Sequence, residues 1–144
     1  MIKKNKLLRS IAILASAFYC IQIKAQSNLI GKKFTTEIGV ACKEFNDGSC
    51  LLHSFCSLDF KKDSVHIYFS QKASCTDKQK EAFYEKNNLN PKTYLWTLKQ
   101  DQIEIIGFSD YGNLLIGKDK LTGEILRNKL EKLEFVTVVD KSNP

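Results

Sequence analysis

Two apolar runs that mirror each other about a short polar break constrain this chain most. The runs are Cys50–Phe60 and Val65–Cys75, and the break is Lys61-Lys62-Asp63-Ser64. Side chains alternate along a strand. The first run therefore puts Leu52, Cys56, Leu58 and Phe60 on one face. The second puts Val65, Ile67 and Phe69 on one face, with His66, Tyr68 and Ser70 on the other. The break has the composition of a tight turn. Folded about it, Phe60 meets Val65, Leu58 meets Ile67 and Cys56 meets Phe69, and the same register brings Cys50 opposite Cys75. One hairpin thus acquires an apolar face and a covalent tie.

A chain of 144 residues is long enough for one domain. The first 25 residues read as a separate element. Lys3, Lys4, Lys6 and Arg9 precede a mostly apolar run, Ile11 to Ile23, and Ile23-Lys24-Ala25 before Gln26 has the form of a signal-peptidase site. That layout predicts a signal peptide over 1–25 and a single domain over 26–144. The run is too short, and too broken by Ser10, Ser16, Gln22 and Lys24, for a permanent transmembrane anchor. The rival reading lipidates Cys20, but Tyr19 stands where a small residue should precede it. Taking the five basic residues of 1–25 from the 22 in the chain leaves 17, against 16 acidic residues, a net charge of about +1. No strong basic field remains to attract nucleic acid. The expected location is exported, either periplasmic or extracellular.

Export matches the cysteine usage. Cys42, Cys50, Cys56 and Cys75 follow the leader, and an even count in an exported chain predicts two disulfides. The hairpin register favours Cys50–Cys75 with Cys42–Cys56; a slipped register would give Cys42–Cys50 with Cys56–Cys75. His53 between Cys50 and Cys56 raises a metal alternative, but the spacing lacks the paired C-x2-C of a zinc knuckle. The expectation is no metal and no cofactor.

Before the hairpin, Lys33–Val40 suits a strand and Asn46-Asp47-Gly48 a turn. After it the period changes. Thr76–Lys86 is rich in helix formers, capped by Thr76 or Asp77 and ended by Asn87–Pro91. Its narrow apolar stripe, Ala82 and Phe83, predicts a helix on the surface or across one end. From Lys92 the pattern returns to strand. Tyr94, Trp96 and Leu98 share a face, then Ile103 and Ile105; Leu114–Gly117, Leu121–Arg127 and Leu133–Val139 follow. Leu126, Leu130 and Leu133 also fit helical spacing, so a helix over 122–132 competes there. About eight antiparallel strands and one short helix make a mainly β fold. An up-and-down barrel removes exposed edges, and an open sandwich is the competitor.

The pattern Tyr94-x-Trp96-x-Leu98 followed by Ile103-x-Ile105 resembles small exported bacterial proteins with a lipocalin-like barrel. The opening Leu29-Ile30-Gly31-Lys32-Lys33-Phe34 is similar to the glycine-then-aromatic start of lipocalins. It departs from their Gly-x-Trp motif by one residue of spacing and by Phe34 in place of Trp. The resemblance implies a barrel that either binds something or fills its own core. It assigns no binding residues.

The residues themselves supply the candidates. Phe34, Phe60, Phe69, Tyr94, Trp96 and Phe135 either line a cavity for a small ligand or fill it. Phe83, Tyr84, Tyr111 and the 46–48 turn are the exposed candidates for contacting a partner protein. Asp59 and His66 fall opposite each other on the polar face, which reads as a solvated cross-strand pair rather than half of a catalytic arrangement. No G-x-S-x-G, Gly-rich phosphate loop or H-E-x-x-H occurs. The sequence therefore predicts no enzyme. It predicts an exported binding protein that uses the barrel interior or one open end for a small apolar ligand or envelope component. The alternative is a periplasmic inhibitor or immunity-type protein that binds and blocks a partner.

Overall fold

The computed structural model describes residues 28–87, 91–126 and 129–138. The expected signal peptide, Cys20 and Val139 lie outside these residues. Three long strands dominate: β1 (Lys33–Phe45), β2 (Gly48–Phe60) and β3 (Ser64–Cys75). Helix α1 (Lys78–Tyr84) and the two-residue β4 (Lys86–Asn87) follow. The remaining strands are shorter: β5 (Lys92–Lys99), β6 (Gln102–Ile105), β7 (Leu114–Ile116), β8 (Lys120–Leu126) and β9 (Leu130–Thr137). The competing helix over 122–132 does not form; β8 and β9 pair across it from Lys120↔Val136 to Leu126↔Leu130.

The ladder runs β2-β1-β9-β8-β7-β6-β5-β3, and a β2–β3 pairing closes it into an eight-stranded antiparallel barrel, with β4 paired to β3 beyond the end of the β3–β5 ladder. The hairpin register is the one its alternation dictates: Phe60↔Val65, Leu58↔Ile67, Cys56↔Phe69 and Cys50↔Cys75. Cys50 and Cys75 form a disulfide. The second expected bridge is absent. Cys42 pairs with Leu51, and Thr36 is the partner of Cys56. Five strand positions separate Leu51 from Cys56, about 17 Å, far beyond the Cα spacing a disulfide tolerates. Cys42 is an exposed thiol and Cys56 a buried one.

Closure is uneven. Strand β1 pairs β9 only through Phe34↔Thr137 and Thr35↔Val136. That pairing ends at Thr35, and a bulge in the β1–β2 ladder follows between Glu37 and Gly39. Bulges bend a strand and interrupt its ladder. The upper part of β1 is therefore an edge, guarded by the bulge and by Lys43 and Glu44. The bulge also shifts the alternation, so Lys43 and Phe45 join the face of Cys50 and Gly48. Helix α1 lies over this face. Tyr84 stacks on Phe45 at 5.8 Å. The Lys43 and Lys80 ammonium groups stand 4.8 Å above Tyr84 and 4.7 Å above Phe45. The Asp77 carboxylate accepts the Gln79 N–H at 2.9 Å, and no helix residue is fully buried. A capped surface helix is what Thr76–Lys86 predicted, but its expected apolar stripe is corrected: Ala82 and Phe83 are exposed, and Tyr84 packs on Phe45 in their place.

Rings fill the barrel. In its lower half Phe34, Phe60 and Trp96 meet edge-on, with centroids 5.9 and 5.2 Å apart. The Trp96 indole N–H donates to the Lys61 carbonyl at 3.1 Å, so its polar edge is satisfied. In the upper half Tyr94, Phe108, Tyr111 and Phe135 form a second chain, at 5.4, 5.5 and 5.4 Å. Leu58, Ile67, Ile103 and Leu121 close around both and are fully buried.

Candidate functional site

The six residues expected to line or fill a cavity do not surround one space. Phe34, Phe60, Trp96 and Phe135 belong to the packed core, and Phe69 and Tyr94 pack against it. Phe34 and Phe69 also border clefts, at opposite ends of the barrel. Phe69 contributes to an open apolar groove of about 290 Å3 with Ile38, Ser54, Phe55, Ser70 and Gln71. Phe34 contributes to the floor of a more enclosed cleft of about 340 Å3 at the lower end.

Tyr111, expected at the surface, is a correction. It is 4% exposed and sits between Phe108 and Phe135. The segment Ser109–Asn113 has turn composition, but its backbone is tied to the barrel by the Glu124 N–H donating to the Tyr111 carbonyl at 2.9 Å. Gly123 makes the space. A Cβ there would lie 2.8 Å from the Leu114 side chain and 3.1 Å from Tyr111 Cβ. A glycine inside a strand marks such close approaches, and Gly123 was the available sequence signal for a plug at this height.

The other two partner-contact candidates differ from each other. Tyr84 is half-buried on Phe45, whereas Phe83 is 75% exposed and meets the Tyr84 ring edge-on, at 5.0 Å. Phe83 is the most exposed large apolar side chain among the described residues. The helix that carries it is fixed. The Glu81 carboxylate accepts the Cys75 N–H at 3.1 Å and the Lys78 ammonium at 3.0 Å, and these bonds hold it below the usual carboxylate range. Lys80 pairs with Asp47 in the β1–β2 turn. The 46–48 turn is thus a strut for α1. Gly48 is in the left-handed half of backbone space at φ 145°, where a Cβ would collide with Thr76 Oγ1.

The polar face offers little for catalysis. Asp59 and His66 are opposite in register, but Asp59 is engaged by the Lys61 ammonium at 2.9 Å and by the Tyr68 hydroxyl at 3.5 Å. His53 Nδ1 lies 3.0 Å from the Glu37 carboxylate at an exposed site. Cys56 is wholly buried. Burial pushes its thiol up to about 12, with a hydrogen bond from Tyr111 opposing the rise. Among the described residues no group of three or more His, Cys, Asp and Glu side chains is placed to hold a metal ion, and no helix is long and apolar enough to cross a membrane.

Comparison with family models gives no match, and neither curated proteins nor solved structures show a significant likeness to this chain.

Proposed function

We propose that this protein is an exported, non-enzymatic inhibitor or immunity-type protein that binds a partner protein through the α1 end of its barrel. One observation carries the reading: Phe83 stands 75% exposed on a helix that is pinned at both of its flanks. Exposed aromatic side chains on rigid elements serve as anchors in protein interfaces. The ring-filled interior favours this reading over transport of a small apolar ligand inside the barrel. Outside the interior, the groove beside Ile38, Phe55 and Phe69 offers an apolar surface to such a ligand. Export rests on the basic-then-apolar leader over residues 1–25 and fits a disulfide.

The test compares capture from the exported fraction of the protein's own cells by the immobilised wild type and by Phe83→Ala. Loss of an anchor aromatic costs about 2 kcal/mol or more, roughly thirtyfold in Kd. The expected result is a protein bound by the wild type and released from the variant, with the melting temperatures of the two equal within about 2 °C. A partner held equally by both would remove Phe83 from the interface, and no partner for either would sink the proposal.

A further inference from the structure

The lower cleft lies at the opposite end of the barrel from α1, and what it binds is independent of the partner contact proposed above. Its floor is apolar: Leu29, Phe34 and Leu121 are 4%, 3% and 0% exposed. Its walls come from three distant stretches. Asn28 and Lys32 flank the N-terminal segment, Asp101 sits in the β5–β6 turn, and Gly117–Lys120 forms the β7–β8 turn. The backbone of each stretch is pinned. The Gly31 N–H donates to the Phe60 carbonyl at 2.8 Å, the Ile116 N–H to the Asp101 carbonyl at 2.9 Å, and the Gly117 N–H to the Lys120 carbonyl at 2.8 Å. The Thr137 hydroxyl donates to the Asp119 carbonyl at 3.1 Å.

The side chains around this frame are of both signs. Lys120 is occupied by Glu134. Lys32, Lys118, Asp101 and Asp119 line the same cleft and form no ion pair or side-chain hydrogen bond among the described residues. Two cations and two carboxylates above an apolar floor complement a small molecule that carries both charges and an apolar tail. An anion alone would leave the aspartates facing it, and a cation alone would leave the lysines. A volume of about 340 Å3 is at the small end of ligand pockets.

We propose that this cleft binds a free α-amino acid with an apolar side chain. The ligand carboxylate meets Lys32 and Lys118, its ammonium meets Asp101 and Asp119, and its side chain lies on Leu29, Phe34 and Leu121.

Calorimetric titration with L-phenylalanine, N-acetyl-L-phenylalanine and L-phenylalaninamide tests this, because the derivatives delete one charge each. The expected result is saturable binding of L-phenylalanine, with each derivative at least about tenfold weaker. In the Asp101→Asn/Asp119→Asn variant, L-phenylalanine weakens at least about tenfold and its advantage over the N-acetyl derivative disappears. Among the described residues these four side chains form no ion pair or side-chain hydrogen bond, so the variant should melt with the wild type, which separates lost binding from lost fold. The proposal is overturned if L-phenylalanine shows no binding up to about 10 mM, if either derivative binds as well, or if the double variant binds like the wild type. Equal binding of the N-acetyl compound would mark a plain anion site, and equal binding of the amide a plain cation site.

Discussion

Replacing Phe60 with alanine lowers the free energy of unfolding by about 3–5 kcal/mol. Phe60 is fully buried and is the ring through which Phe34 and Trp96 are connected, at 5.9 and 5.2 Å. Its removal takes away one of the two largest wholly buried side chains among the described residues, Phe135 being the other, and leaves a void between Phe34 and Trp96. Hydrogen-bonded strands cannot collapse far into such a void, so the cavity cost adds to the lost transfer energy. Phe60→Leu keeps part of the volume and should cost roughly half as much. Denaturant unfolding followed by the fluorescence of Trp96, the single tryptophan, measures both. A loss below about 1 kcal/mol for Phe60→Ala would mean that the interior is loosely filled, and the case against a ligand inside the barrel would fall with it.

The second large effect is expected from the disulfide. Cys50 and Cys75 are 25 residues apart. Opening a loop of that length releases unfolded-chain entropy equivalent to about 3.5 kcal/mol at room temperature. For a domain of this size that corresponds to a fall in melting temperature of about 10–15 °C. The paired Cys50→Ala/Cys75→Ala variant should show the loss in scanning calorimetry. Treating the oxidised wild type with a thiol reagent after unfolding should label Cys42 and Cys56 and no others among residues 28–138. In the folded protein only Cys42 among residues 28–138 should react, since Cys56 is buried and its thiol is pushed up to about 12. Unchanged stability in the paired variant would show that the bond forms without constraining the unfolded chain.

The parts of the fold that the sequence made legible were those set by local alternation. The β2–β3 hairpin was readable residue by residue because both runs carry one apolar face. A slip by one position would have turned Leu58, Phe60, Val65 and Ile67 to solvent. Helix α1 was readable because the period changes after Cys75 and Asp77 caps it. What failed depended on contacts between distant segments. The pairing of Cys42 with Cys56 was inferred by elimination, and no local pattern marks the bulge at Glu37–Gly39 or the register that puts Leu51 beside Cys42. Tyr111 reads as a turn residue among Ser109, Asp110, Gly112 and Asn113, and only the space left by Gly123 on β8 lets its ring inward.

The same division holds for the candidate sites. Phe83 was legible in part: the sequence offered it as an exposed contact but also as half of the apolar stripe of α1, and the structure turns that stripe, Ala82 and Phe83, to solvent. The lower cleft was not legible. Its charges come from positions 32, 101, 118 and 119, and only barrel closure brings them together. The six aromatics posed the reverse problem. Their placement on inward faces was readable, but whether they enclose a space or fill it depends on ring-to-ring distances that alternation does not give.

The partner-binding account is tested most directly by native mass spectrometry of the protein purified gently from the exported fraction of its own cells. The account predicts the chain in complex with a second protein and carrying no apolar small molecule. A chain found without a protein partner, and holding an apolar molecule that is lost on denaturation, would contradict it.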